Sequence, residues 1–307
     1  MLPDAGHPAR GSFVRDQVAA LRAIDGLDVE LHEFAPGPRA LVAGFATLRR
    51  RYGHDRFDVV HAHFGLTAWP SLVVPARVRA LTMHGTDLAD PRTRLLTRAV
   101  LPQIDLAAAV SADLAARVPG PTAARTAVLP CGVDTERFRP IPRARARAAL
   151  GLPEDQPILL FPANPARPEK RYERARELAE LTGTRLLALE DVPPERVPLF
   201  VNAASAVVVT SEREGFGLAA LEALACDVPV LATPIGVHPE ALAGVAGTLC
   251  APFDARSWSR ALEPLLADSD PRVVGRGAAE RWSATAMAKR VQGAWQRALG
   301  GGAGGSR

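Results

Sequence analysis

Residues 204–225 read ASAVVVTSEREGFGLAALEALA: an apolar β-rich run, a glycine-flanked turn and a helical pattern in immediate succession. The run Val207, Val208, Val209 shows no polar alternation, which fits a strand buried on both faces of a parallel sheet. In such sheets ligands settle outside the carboxyl ends of the strands. That end carries Glu214, then Gly215, Phe216 and Gly217, with Glu222 further on in the helical pattern. Glycines lack Cβ and let backbone N–H groups approach an anion or a sugar hydroxyl. The helix that starts at once aims its positive end at the same place. Glu222 lies about five residues into it, ~7 Å along the axis, so the two carboxylates can meet different parts of one long ligand. The bland alternative is a solvated acidic loop and a helix surface residue. Glu222 stands among Leu221, Leu224 and Ala225, where a charge needs a reason.

Working outward, apolar β-rich runs alternate with helical patterns along most of the chain. Strands are expected at 28–34, 57–64, 79–85, 106–111 and 126–132, and after a break at 157–163, 184–190, 204–210 and 228–234. Helices are expected at 13–24, 92–101 and 172–182. This alternation predicts an α/β protein with parallel sheets covered on both faces. The break, 137–157, holds four prolines around one short basic helix and reads as a linker. Two Rossmann-like domains follow, 1–140 and 141–275. A helical segment at about 276–299 is expected to pack back on the first domain, and 300–307 reads as a flexible tail. A doubly wound domain opens on a buried strand, yet only turn-like sequence precedes the helix at 13–24. The first strand of the N-terminal domain is therefore expected to be missing.

Composition narrows the function classes. The chain has 307 residues, 48% apolar and 23% charged, which suits a globular protein of two domains. No apolar run approaches the ~20 residues of a membrane span, and no secretory signal is visible, so a cytoplasmic protein is expected. The net charge of +4 comes from scattered arginines, with Lys170 and Lys289 the only lysines. With few aromatics and no nucleic-acid module, no nucleic-acid partner is expected. A mild attraction to anionic lipid or to phosphorylated substrates fits the charge equally well. Cys131, Cys226 and Cys250 have no metal-type spacing and read as reduced thiols.

Three stretches together carry a family likeness: HGTDL (84–88), LPCGVDTERFRP (129–140) and EGFGLAALEALACDVPVLATPIGVHPE (214–240). The chain resembles retaining glycosyltransferases of family 4, and within them looks most like actinobacterial members of the teichuronic-acid type. The resemblance covers about Gly11 to Leu299. It implies the GT-B architecture, two Rossmann-like domains facing a cleft, and a nucleotide-diphosphate sugar of UDP or GDP type as donor. It further implies a glycan or lipid-linked acceptor, with peripheral membrane contact at the inner face of the membrane as a corollary. No cofactor and no metal are implied. By the resemblance Glu214 contacts hydroxyls of the donor sugar, Glu222 the nucleotide ribose, and His84 lies beside the sugar at the reaction centre.

A diphosphate needs cations, and FPANPARPEKRYE (161–173) supplies Arg167, Lys170 and Arg171. Preplaced Arg and Lys stabilise the charge that grows on a leaving diphosphate. The family pattern has an arginine five or six positions before the lysine; here Asn164 and Pro165 stand there, and Arg167 is expected to take over. An exposed basic loop is the bland reading. Asp87 is expected to cap a helix or brace its loop. Gly11 and Ser12, just ahead of the first helix, are placed for acceptor or phosphate contacts. His61 and His63 share one strand face, but no third ligand at useful spacing follows, so a metal site is not expected. The competing readings are a catalytically impaired sugar-nucleotide binder and a GT-B epimerase or phosphorylase.

Overall fold

Buried apolar runs become strands wherever a neighbouring run supplies the other half of the hydrogen-bond ladder. The computed structural model describes residues 11–301. Among these, one unit holds Phe13–Cys131 and residues 285–301, the other Gly132–Ala284.

The first unit begins with α1 (Ser12–Arg22) and α2 (Pro38–Tyr52). It continues through β1 (Phe57–His63), α3 (Gly65–Ser71), β2 (Ala76–Met83), α4 (Thr86–Ala89) and α5 (Pro91–Val100) to β3 (Leu106–Ala109), α6 (Ala112–Ala116) and β4 (Ala127–Val128). The sheet is parallel in the order β1-β2-β3-β4. Register sets His61 beside Ala80 and His63 beside Thr82, so the β1 histidines lie next to the carboxyl half of β2. One expectation is corrected: 28–34 forms no strand. Its residues have strand propensity, but a strand needs a partner ladder. Among the described residues β1 is a sheet edge and no strand precedes it. The segment instead meets helices, with Arg22 Nε donating to the Val29 carbonyl at 2.8 Å and Arg15 pairing with Glu33. Helix α2 adds to the expected helices. Pro38 opens it after Gly37, the arrangement that suits a first helical turn.

In the second unit come α7 (Arg143–Leu150), β5 (Ile158–Phe161), α8 (Tyr172–Thr182), β6 (Arg185–Ala188), α9 (Val197–Ala203) and β7 (Ala206–Val209). Then follow α10 (Leu218–Ala225), β8 (Val230–Ala232), α11 (His238–Ala241), β9 (Leu249–Cys250), α12 (Ala255–Ala267) and α13 (Arg276–Glu280). The parallel sheet runs β6-β5-β7-β8-β9. Every residue of β5 and β7 is buried, as a strand covered on both faces requires. Leu159, Phe161, Val208 and Leu231 pack with Leu178 from α8 and with Trp258 and Leu262 from α12. Each such large side chain contributes about 1.5–3 kcal/mol by leaving water.

The basic helix expected in a linker is α7, and it belongs to the second unit's core. Arg147 is 1% exposed, its Nε donating to the Ala203 carbonyl at 2.9 Å and its Nη1 to the carbonyls of Pro153 and Glu154. Carbonyl acceptors offset the loss of water around the guanidinium, while burial lowers its pKa to about 10. After α13 the chain returns to the first unit as α14 (Ala284–Gly301). Val133 receives the departing chain: its N–H donates to the Trp282 carbonyl at 2.8 Å and its carbonyl accepts from Ala284 at 2.7 Å. No helix among the described residues is long and apolar enough to cross a membrane.

Candidate functional site

In the second unit β6 and β7 flank β5 on opposite sides. The connections leaving β5 and β7 therefore diverge, and the carboxyl ends of these two strands are where folds of this kind place ligands. The loop after β5 ends in a tight turn, Pro168–Lys170, and the loop after β7 carries Glu214. There the two meet. Lys170 Nζ lies 2.6 Å from Oε1 and 2.7 Å from Oε2 of Glu214. Ser211 Oγ donates to the same Oε1 at 2.7 Å. The side chains of Lys170 and Glu214 are only 14% and 10% exposed, so the pair sits in a medium where charge interactions are stronger than at an open surface.

Backbone links hold the two loops in place. Thr210 Oγ1 donates to the carbonyls of Lys170 and Arg171 at 3.1 and 3.0 Å, and Glu212 N–H to Glu169 at 2.9 Å. Behind them the chain after β8 supplies a second brace. Val237 N–H donates to the Phe216 carbonyl at 2.8 Å, and Thr233 Oγ1 to the Ser211 carbonyl at 2.6 Å. Phe216 is buried, which pins the turn from below. Gly217, at φ 106°, is the residue from which α10 starts. A Cβ there would stand 2.5 Å from His238 Nε2, so this glycine is demanded both by conformation and by space.

The remaining expected donor-side residues have separate places. Glu222 is half-buried in the second turn of α10. Gly215 lies between Glu214 and the buried Phe216. Arg167 is exposed and donates through Nε and Nη2 to Glu169 Oε1 at 2.9 and 2.7 Å, so its hydrogen-bonding face is turned to Glu169.

In the first unit the carboxyl ends of β1 and β2 gather three histidines. His63 Nδ1 is 2.9 Å from His84 Nε2, and Gln17 Nε2 is 3.3 Å from His63 Nε2. Trp295 Nε1 donates to His61 Nδ1 at 3.1 Å, which leaves His61 Nε2–H to donate to Thr82 Oγ1 at 2.7 Å. Burial lowers His63 to about 4 and holds His61 and His84 well below 6.5, so all three are neutral at pH 7. Phe13 and Phe64 cover His84, with ring centroids 4.7 and 4.8 Å away. Asp87 braces this end: Oδ1 accepts the Gly65 N–H and Oδ2 the His84 N–H, each at 2.6 Å. Burial raises its carboxyl pKa. Gly11, at φ 72°, and Ser12 stand at the start of α1. Among the described residues no group of three His, Cys, Asp or Glu could hold a metal ion.

Ser211, His238, Gln17 and Trp295 belong to these clusters and lie outside the sequence expectations. Ser211 stands three positions before Glu214, a spacing that lets a hydroxyl turn back onto a carboxylate, and was legible in principle. His238 and Trp295 reach their partners only through the tertiary fold.

Two parallel α/β units, one with a cation and a carboxylate meeting where its strand order reverses, define the class: Rossmann-like α/β proteins. The Glycosyltransferase Family 4 model matches residues 6–137 and the Glycosyl transferases group 1 model residues 167–282. A D-inositol 3-phosphate glycosyltransferase of Actinosynnema mirum is 31% identical over 85% of this chain and 75% of its own length. The enzyme of that name from Saccharomonospora viridis is 32% identical over 73% of this chain, which spans 65% of that relative. The chain belongs to the family 4, group 1 glycosyltransferases. Among solved structures, Anabaena HepE in complex with UDP and glucose superposes with a TM-score of 0.69 at 17% identity, covering 96% of this chain and 98% of HepE. The expected two-unit, GT-B type α/β fold stands.

Proposed function

We propose that the chain is a retaining, metal-independent glycosyltransferase that moves a sugar from a UDP- or GDP-linked donor to a glycan or lipid-linked acceptor. The setting is synthesis of cell-envelope polysaccharide or glycoconjugates, in the cytoplasm at the inner face of the membrane. The meeting of Lys170 and Glu214 at the switch point, in a chain of this family, carries the reading. Cation and carboxylate hold one another there. A donor offering diphosphate oxygens to Lys170 and sugar hydroxyls to Glu214 exchanges that pair for two matched ones.

Lys170 then stabilises the charge that grows on the leaving diphosphate. The backbone of Gly215, Phe216 and Gly217, at the amino end of α10, faces the same anion. Glu222 takes the ribose. Arg167 joins by leaving Glu169, an exposed pair worth only about 0–1 kcal/mol. His84, neutral and fixed by His63, offers a hydrogen bond to a sugar hydroxyl, with Gly11 and Ser12 on the acceptor side and Asp87 holding the loop. The leaving phosphate accepts the acceptor's proton as the new bond forms on the same face. HepE's complex with UDP and glucose supports a UDP-sugar donor. The D-inositol 3-phosphate relatives make a phosphorylated cyclitol one acceptor to include.

Calorimetry with a panel of UDP and GDP sugars, followed by a transfer assay, tests the reading. Glu214→Ala should abolish transfer and leave the fold intact; unchanged turnover would refute it. A second reading, sugar-nucleotide binding without transfer, rests on β1 being a sheet edge among the described residues. Tight donor binding by the unaltered chain without turnover on any acceptor would favour it.

A further inference from the structure

His238 is a buried polar group beside the candidate site that the proposed reaction does not use. It is 0% exposed. Its Nδ1 is 2.8 Å from the Thr233 carbonyl. A carbonyl only accepts, so Nδ1 carries the proton and neutral Nε2 presents a lone pair. Nε2 is buried and has no hydrogen-bond partner. An unpaired buried acceptor is uncommon and calls for an explanation.

Its position supplies one. Nε2 faces Gly217, 2.5 Å from where a Cβ would stand, and Gly217 starts α10. The ring therefore lies directly behind the helix end that carries partial positive charge. The ionised groups acting on it are Glu214 and Lys170, one of each sign and paired with each other. Thr233 and the Phe216–Val237 backbone link fix the ring and the turn around it. A bound diphosphate would engage Lys170 and add negative charge at this helix end, and an imidazolium behind Gly217 is the compensating change open to the fold.

We propose that His238 is a proton-linked positioning residue, taking up one proton at Nε2 when the diphosphate of a nucleotide settles at the amino end of α10. The proton comes from solvent, no covalent bond changes, and the Nδ1–H bond to Thr233 persists. The imidazolium adds a positive charge behind the Gly217 turn without touching the nucleotide. Burial holds the imidazole below its ordinary value in the absence of that anion, so the ring is neutral at pH 7.5 beforehand. The inference rests on the nucleotide-donor reading above.

The experiment is calorimetry of the full chain with UDP and GDP at pH 7.5, in two buffers of different ionisation enthalpy, repeated from pH 6 to 8.5. Uptake of up to one proton is expected. Kd should weaken with rising pH, by up to about tenfold per unit for a single linked proton. His238→Asn keeps a donor for Thr233 but cannot titrate, and should flatten that dependence. Nitrogen-15 spectra of the unaltered chain labelled at histidine give the same test without a variant. One Nε2 signal should pass from the lone-pair to the protonated range on adding UDP. Nucleotide binding with no proton uptake and no such signal overturns the role of His238 and leaves the donor reading standing. Failure of both UDP and GDP to bind at millimolar concentration overturns the donor reading, and this inference with it.

Discussion

Lys170 and Glu214, 44 residues apart in sequence, form a two-pronged ion pair with Nζ 2.6 and 2.7 Å from the carboxylate oxygens. Removing Lys170 alone strands a largely buried carboxylate with Ser211 as its remaining contact in this cluster. Lys170→Met should therefore destabilise the second unit more than Lys170→Met with Glu214→Gln. A double-mutant cycle by denaturant unfolding should show coupling of about 1–3 kcal/mol. Each single change should also lower transfer by ~100-fold or more. Coupling near zero would mean that the pair is incidental.

Gly217 answers to His238 as well as to its own backbone. Gly217→Ala places a methyl 2.5 Å from Nε2 at φ 106°, and should cost about 2–4 kcal/mol from crowding and backbone strain. Adding His238→Ala removes the crowding but not the strain, so the double variant should recover part of the loss. Thermal melting of the three variants checks this. At Gly236 the same methyl would run into the Phe216 carbonyl, which is backbone, and no side-chain change should rescue it.

Asp87 receives two converging N–H groups, from Gly65 and His84. Asp87→Ala leaves both unpaired and should cost about 2–4 kcal/mol. Asp87→Asn should fare no better, since its amide turns N–H toward an N–H. Urea unfolding measures the cost, and a histidine spectrum should show His84 displaced in both variants.

Acid should weaken the first unit before the carboxylates dominate. His61, His63 and His84 are held below 6.5 by burial, His63 at about 4. Between that value and 6.5 the unfolded chain binds more protons than the folded one, so stability rises with pH across this window and is lost as pH falls. Asp87, raised above 3.8 by burial, acts with the opposite sign from 3.8 upward, one group against three. The unfolding midpoint should fall between pH 7 and pH 5, and His63→Gln should reduce that slope. A midpoint independent of pH over this range would contradict the burial assigned to the imidazoles.

The parallel sheets were readable because β5 and β7 are buried on both faces, and continuous apolar runs announce that state. The same rule misled at 28–34, where strand propensity is present but the partner ladder is not. Helix α2 escaped because Gly44 and a run of three arginines blur its apolar stripe, although Gly37-Pro38 marks its start. At the site, Glu214 and Lys170 were legible as residue types next to strand ends, since topology forces those ends together. That they pair was not, because the distance between two loops is written in neither of them. Arg167 was expected among the cations, and its pairing with Glu169, two residues on, was not read from the same stretch. His238 has no spacing signal at all: its meaning comes from Gly217, which lies on another loop.

The return of α14 to the first unit, where Trp295 bonds His61, gives the fold an order in time. Synthesis proceeds from the amino end, and domains fold as they emerge. The second unit's sequence is fully synthesised at Ala284, before the last helix of the first. The unit begun first is thus finished last, and β1 meets Trp295 only after the intervening unit has been made.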